Sequence, residues 1–181
     1  IIDIDVDYNY KGKRVIAFAS PTDIGIFIDQ TTNRWQWLTD PAVDEGDWDN
    51  SDIIRFALSP NYEDDETIFA VVNAADNTKL YSRLADEKWN DDFKYGNFSD
   101  VDNADDAFLA FPSDFSVNSS SSFKVFVGLT GIMKDGLSDD DQIFRVDGGY
   151  GYDDPVKAKT LEWEDKYTKT IIGLAFCGTY S

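Results

Sequence analysis

Ile53-Ile54-Arg55-Phe56-Ala57-Leu58-Ser59-Pro60-Asn61-Tyr62 decides how this chain of 181 residues is read, because the chain carries it more than once. It aligns without gaps to Ile1-Ile2-Asp3-Ile4-Asp5-Val6-Asp7-Tyr8-Asn9-Tyr10 and to Ile171-Ile172-Gly173-Leu174-Ala175-Phe176-Cys177-Gly178-Thr179-Tyr180. A weaker copy stands at Phe108-Leu109-Ala110-Phe111-Pro112-Ser113-Asp114-Phe115, and all four stretches end on an aromatic. Internal similarity of this kind marks an array of like units, and missing it would misassign every later element.

Beyond each closing aromatic comes a polar turn and then a β-branched, aromatic run. These runs are Arg14-Val15-Ile16-Ala17-Phe18, Thr67-Ile68-Phe69-Ala70-Val71 and Lys124-Val125-Phe126-Val127-Gly128, which align with one another. Their composition and flanking turns predict strands. A third strand is expected at Gly25-Ile26-Phe27-Ile28, Lys79-Leu80-Tyr81-Ser82 and Gln142-Ile143-Phe144-Arg145. Trp35 and Trp89 each stand eight residues after the aromatic of that strand, whereas the third unit delays its tryptophan to Trp163, across an insertion from Asp147 to Lys159. Fourth strands are expected around Trp37 to Trp48, Phe93 to Phe98 and Lys166 to Lys169, in acidic, irregular sequence. No run carries a helical period of apolar residues.

The expected fold is therefore all-β, with propeller-type blades of about four antiparallel strands. The blades fall at residues 1–52, 53–105 and 106–170, and residues 171–181 begin a fourth. A small twisted sheet cannot bury both faces alone, so it must stack on its neighbours. Small residues recur inside the first strand at Ala57, Ala110 and Ala175, where strands would crowd around an axis, and Asp5 breaks that pattern. Closed propellers start at about four blades, so these units make an incomplete ring. The start at Ile1-Ile2-Asp3 reads as a processed or partial product.

The chain resembles the Asp-box or BNR-type propeller family, which includes sialidase-, sortilin- and xyloglucanase-like proteins and large prokaryotic surface proteins. The resemblance rests on Phe56-Ala57-Leu58-Ser59-Pro60-Asn61-Tyr62, on Asp64-Asp65-Glu66-Thr67-Ile68-Phe69-Ala70, and on Leu80-Tyr81-Ser82 with Trp89. It implies a strand ending in Ser-Pro-x-Tyr, a strand around Leu-Phe-Ala, and a strand leading to Ser-x-Asp-x-Gly-x-x-Trp. The last box is degraded: Arg145-Val146-Asp147-Gly148-Gly149 lacks a tryptophan at the family's distance, and the first two units keep the tryptophan without Asp-x-Gly. The resemblance carries architecture and not activity, because one fold hosts many functions.

Thirty-five acidic residues against sixteen basic ones give a net charge of −19, which repels phosphate backbones and anionic membranes and excludes nucleic acid as a partner. No apolar run approaches the roughly 20 residues that cross a bilayer as a helix. The single cysteine, Cys177, allows no disulfide within the chain. With no histidine, the commonest general base and zinc ligand are missing and a Ser-His-Asp triad cannot form.

Asp3, Asp5 and Asp7 imitate the start of a calcium loop, but Tyr8 stands where glycine is needed and Arg14 where a bidentate glutamate is needed. On a strand the three aspartates simply share a face. Asp139, Asp140 and Asp141 form a second candidate set for Ca2+ in an expected turn, where aspartate is also an ordinary turn former. Calcium is the single cofactor considered. Asn97-Phe98-Ser99 and Asn118-Ser119-Ser120 match the glycosylation sequon in expected loops. No catalytic residue is assigned, since carboxylates are too abundant for a pair to stand out and Arg14, Arg34, Arg55, Arg83 and Arg145 are scattered as structural arginines are.

The function expected is that of a non-catalytic propeller segment of a secreted or cell-surface protein, a structural or interaction module of S-layer-like or adhesin-like type. Its expected partners are the rest of a longer chain, or a neighbouring subunit completing the ring, and a protein or glycan ligand. The alternatives are a fragment of an Asp-box glycoside hydrolase and a receptor-like peptide-binding propeller.

Overall fold

A computed structural model describes residues 1–7, 10–28, 35–39, 52–74, 77–84, 88–90, 96–98, 101, 103–131, 133–134, 137–138, 141–148, 156–157, 159–161 and 170–180. Within them the chain is all-β, in sheets of antiparallel strands taken in chain order. The first sheet comprises β1 (Asp3–Asp7), β2 (Val15–Ala19), β3 (Ile24–Ile28) and β4 (Gln36–Trp37). The second comprises β5 (Asp52–Leu58), β6 (Thr67–Asn73), β7 (Thr78–Leu84) and β8 (Gly96–Asn97). In the third, β9 (Asp106–Ala110) and β10 (Lys124–Thr130) are followed by a small hairpin of β11 (Met133–Lys134) and β12 (Leu137–Ser138), and then by β13 (Gln142–Asp147). Two pieces remain: β14 (Val156–Lys157), and β15 (Lys159–Leu161), which closes the third sheet against β13.

Alternation decides what each sheet buries, because successive side chains on a strand point to opposite faces. Val15, Ala17, Ile24 and Ile26 of the first sheet pack against Ile68, Ala70, Tyr81 and Trp89 of the second. On the other face of the second sheet, Phe69, Val71 and Leu80 meet Val125, Val127, Leu129 and Phe144 of the third. The second sheet is thus apolar on both faces, which is why β6 has no alternating polar position until Asn73. Burying each such side chain is worth about 1.5–3 kcal/mol.

The three first strands lie side by side, β1 along β5 and β5 along β9. Arg55 ties them together. Its Nε donates to the Ala107 carbonyl at 2.6 Å, its guanidinium reaches Asp106 at 2.8 Å and Asp3 at 3.5 Å, and it lies over the Phe108 ring at 5.2 Å. The acid that breaks the small-residue pattern has its reason here: Asp5 Oδ2 accepts the Leu58 amide at 2.9 Å, so it joins the first two sheets. The Ser59–Thr67 connection folds on a buried carboxylate, with Ser59 Oγ donating to Asp65 Oδ2 at 2.7 Å and the Thr67 amide to Asp65 Oδ1 at 2.9 Å. Burial pushes the Asp65 pKa up, and the Ser59 and Thr67 hydrogen bonds offset only part of that rise. A single helical turn, α1 (Tyr62–Asp65), completes the connection.

Three expectations need correction. The alignment of Arg14–Phe18 with Thr67–Val71 is shifted by one residue. Val15 and Ala17 face the following sheet as Phe69 and Val71 do, and Ala19 and Asn73 both end their strands at the next turn. Tyr10 stands five residues before the start of β2 and Tyr62 five before the start of β6, so pairing Val15 with Ile68 is one residue out of step, and a one-residue slip exchanges the two faces. Among the described residues, fourth strands stand at Gln36–Trp37, at Gly96–Asn97 and, in the third sheet, at Lys159–Leu161, ahead of Trp163 and of the segment expected there. The rest of the expected fourth-strand segments, 40–48, 93–95 and 166–169, lies outside the described residues. Finally, the insertion adds a strand that the four-strand pattern does not include, since β14 pairs in parallel with β8 and extends the second sheet.

Candidate functional site

Of the carboxylates singled out in the sequence, Asp3, Asp5 and Asp141 are engaged in holding the sheets. Asp3 Oδ1 accepts the Ile4 amide and Asp5 Oδ1 the Val6 amide, while their other oxygens reach Arg55 and Leu58. Asp7 ends β1 on the same face. Asp141 is buried and accepts the amides of Gly131 and Ile171; Asp139 and Asp140 lie outside the described residues. Among the described residues no three potential ligands gather at metal-binding distance. Asn97 sits on the strand β8 and not in a loop, and its side chain accepts a hydrogen bond from Asn77 at 3.0 Å. Asn118 is exposed in a turn, as expected.

Two surfaces stand out instead, and sequence reasoning missed the first. Cross-strand neighbours share a face, so the register Ile4–Phe18–Gly25–Trp37 and the register Val6–Ile16–Phe27 place these residues on the side of the first sheet turned away from the second. Gly25 makes the face possible: a Cβ there would lie 2.6 Å from the Phe18 ring. Phe18 meets Trp35 edge-to-face at 4.8 Å and Trp37 at 5.5 Å, and Phe27 leans on Trp35 at 5.5 Å. Trp35 is 43% exposed, Trp37 50% and Ile4 59%. A contiguous apolar patch of this kind marks an interaction surface. The signal available in the sequence was the alternation of Ile16 and Phe18 with Val15 and Ala17, hidden by the one-residue slip.

The second surface is the segment 170–180, which lies over the outward face of the third sheet. Ile171 packs on Gly128, where a Cβ would come within 3.2 Å of it. Phe176 stacks on Phe126 at 4.9 Å. Tyr180 lies over the Arg145 guanidinium at 5.1 Å and the Lys124 ammonium at 5.8 Å, and its hydroxyl accepts from Arg145. The main chain is pinned at both ends: the Ile171 amide donates to Asp141, the Ser113 amide to the Gly178 carbonyl at 3.0 Å, and the Tyr180 amide to Asp114 at 2.8 Å.

Beneath Tyr180 sits a charge node. Arg145 Nε lies 2.8 Å from Asp147 Oδ1 as an ion pair without hydrogen-bond alignment, Arg145 also donates to Asp147 Oδ2 at 3.0 Å, and Lys159 reaches that second oxygen. Burial pushes the Asp147 pKa up, but hydrogen bonds from Lys159 and Arg145 and the charges of Arg145 and Lys124 outweigh it and hold the pKa below its usual value.

Segment 170–180 comes to the third sheet as the earlier first strands come to theirs. The Ile53 amide, at the start of β5, donates to the Pro21 carbonyl in the turn between β2 and β3. The Ala104 amide, just before β9, donates to Asn73 and Thr78 at the turn between β6 and β7. The Ile171 amide does the same to Asp141, beside β13. What the two surfaces can do is non-covalent: present planar aromatic rings and apolar backbone to a partner. Comparison with family models, with curated proteins and with solved structures finds no match.

Proposed function

We propose that the protein is a non-catalytic interaction or scaffolding module of an extracellular or cell-surface assembly, built of propeller-type blades of the Asp-box kind. Its partners are further blades, supplied by more of the chain or by a neighbouring subunit. The observation that carries this reading is segment 170–180, whose sequence aligns with Ile53–Tyr62 and which rests on the third sheet as β5 rests on the first. The open aromatic face of the first sheet supports it from the other end, since the corresponding face of the second sheet is the one buried against the first.

Two measurements test the proposal. The protein isolated from its source is expected to run as a species well above 20.4 kDa, as a longer chain or a stable assembly; a lone 20.4 kDa monomer would overturn it. Assays on polysaccharide and sialoside substrates are expected to show no turnover. Specific turnover abolished by replacing one carboxylate would make the chain part of an enzyme.

A further inference from the structure

The backbone of Ile172–Cys177 carries no hydrogen bond to any described residue, although the segment is ordered against the third sheet at Ile171, Phe176, Gly178 and Tyr180. Backbone held this way presents a row of unpaired N–H and C=O groups. Natural edges are commonly blunted by lysine, by proline or by a charge pointing inward. Residues 170–180 contain none of these, in a chain with 51 charged side chains, 35 acidic and 16 basic. Ile172 is 89% exposed, and residues 172–177 are all apolar or small.

We propose that the free edge of Ile172–Cys177 is a strand-acceptor site, taking an extended, antiparallel segment of mainly apolar, β-branched and aromatic residues. This rests on the blade reading above. The two similarly placed strands define the occupant: β5 pairs antiparallel with Thr67–Asn73 and β9 with Lys124–Thr130, each a polar residue followed by an apolar run. A folded second copy cannot supply it from its own second strands, because β2, β6 and β10 are each paired on both sides. The occupant is therefore a further unit of the same kind. Because the acceptor is already ordered, its conformational entropy is lost before binding, which favours strand addition.

The test uses the full chain with a synthetic peptide of residues 122–131 bearing added lysines for solubility, and reads hydrogen–deuterium exchange. The peptide is expected to slow exchange of amides 172–177 about tenfold or more, leaving β5 and β9 unchanged. The same peptide carrying Val127→Pro is expected to have no effect. Equal protection by both peptides, or by neither, overturns the proposal. So does protection that rises with protein concentration alone, since the edge would then pair with itself. A fluorophore on Cys177, which is exposed, separates this failure from that of the blade reading. If the label tumbles freely in the unbound chain, the docked-strand reading fails; if it is held and the peptide does not protect, only the acceptor site fails.

Discussion

Trp35 and Trp89 stand eight residues after the aromatics of β3 and β7, yet Trp89 is 1% exposed and Trp35 is 43% exposed. Trp89 lies in the core between the first and second sheets and donates its indole N–H to the Leu38 carbonyl at 2.8 Å. Trp35 meets the rings of Phe18 and Phe27 on an open face. The residue type and its spacing are the same, so the difference lies in the neighbour: a sheet of this kind is stabilised by the sheet next to it more than by itself. Trp89→Ala is expected to cost about 3–5 kcal/mol in urea unfolding, by cavity formation and the loss of the indole bond. Trp35→Ala is expected to cost under about 1 kcal/mol. Equal losses would mean that the first sheet's outer face is not open in solution.

Glycine sharpens the same contrast. A Cβ at Gly96 would meet both Val146 methyls at 3.0 and 3.1 Å and the Leu80 Cβ at 3.2 Å, between two covered sheets. Gly96→Ala is expected to cost about 1–3 kcal/mol by overpacking. At Gly25 the clash, at 2.6 Å, is with the Phe18 ring alone, and that ring borders solvent. It can turn aside, so Gly25→Ala should be the milder change by denaturant titration, despite the shorter distance.

The first strands and most of the second and third were legible in the sequence, because β-branched runs between turn residues need only local information. The faces were not. The links from Tyr10 to β2 and from Tyr62 to β6 are equally long, so whether Ile16 or Val15 points inward turns on a one-residue choice of alignment between two similar apolar runs. The parallel pairing of β14 with β8 was invisible for a related reason: two residues from an insertion carry no periodic signal. Asp5, legible only as a break in a pattern, acquires its role once Leu58 is placed beside it. The acidic clusters read as possible ligands and turns, whereas Asp3, Asp5 and Asp141 among them accept backbone amides. The sequence cannot distinguish a carboxylate facing a cation from one facing an N–H.

The connection after β5 offers a comparison of the second sheet with the first at smaller scale, since Asp65 organises it while the turn at Tyr10–Gly12 has Lys11 at φ 47° and Gly12 at φ 73°. Asp65→Ala would strand the Ser59 hydroxyl and the Thr67 amide and is expected to cost about 1–3 kcal/mol. Asp65→Asn keeps an acceptor for Thr67 and a partner for Ser59. Because burial raises the pKa of Asp65 in the fold, the contribution from its protonated form is complete below the unfolded value and is lost as pH rises through the folded one. The Asn variant should therefore gain on the parent as pH rises from 4 to 7 in melting experiments, a range set by the usual carboxylate pKa of about 3.9. A gain on lowering the pH would contradict the burial of that carboxyl.

The smallest effect is expected where the third sheet differs from the first, at the polar node that receives Tyr180. Asp147 has its pKa held low, so its contribution is present above the unfolded carboxylate pKa of about 3.9 and disappears as pH falls through the lower folded value. The Lys159 side chain is 60% exposed, so screening by solvent keeps the whole contribution to about 1 kcal/mol or less. Asp147→Asn should lower the melting temperature slightly at pH 7 and make no difference near pH 2, with the two curves converging below about pH 4. Arg145 ties this carboxylate to Tyr180, so the variant should also loosen segment 170–180 and raise the mobility of a label on Cys177 at neutral pH. A change in melting temperature with no change in label mobility would separate the ion pair from the docking of the segment, and would leave Phe176 on Phe126 and Ile171 on Gly128 as what holds it.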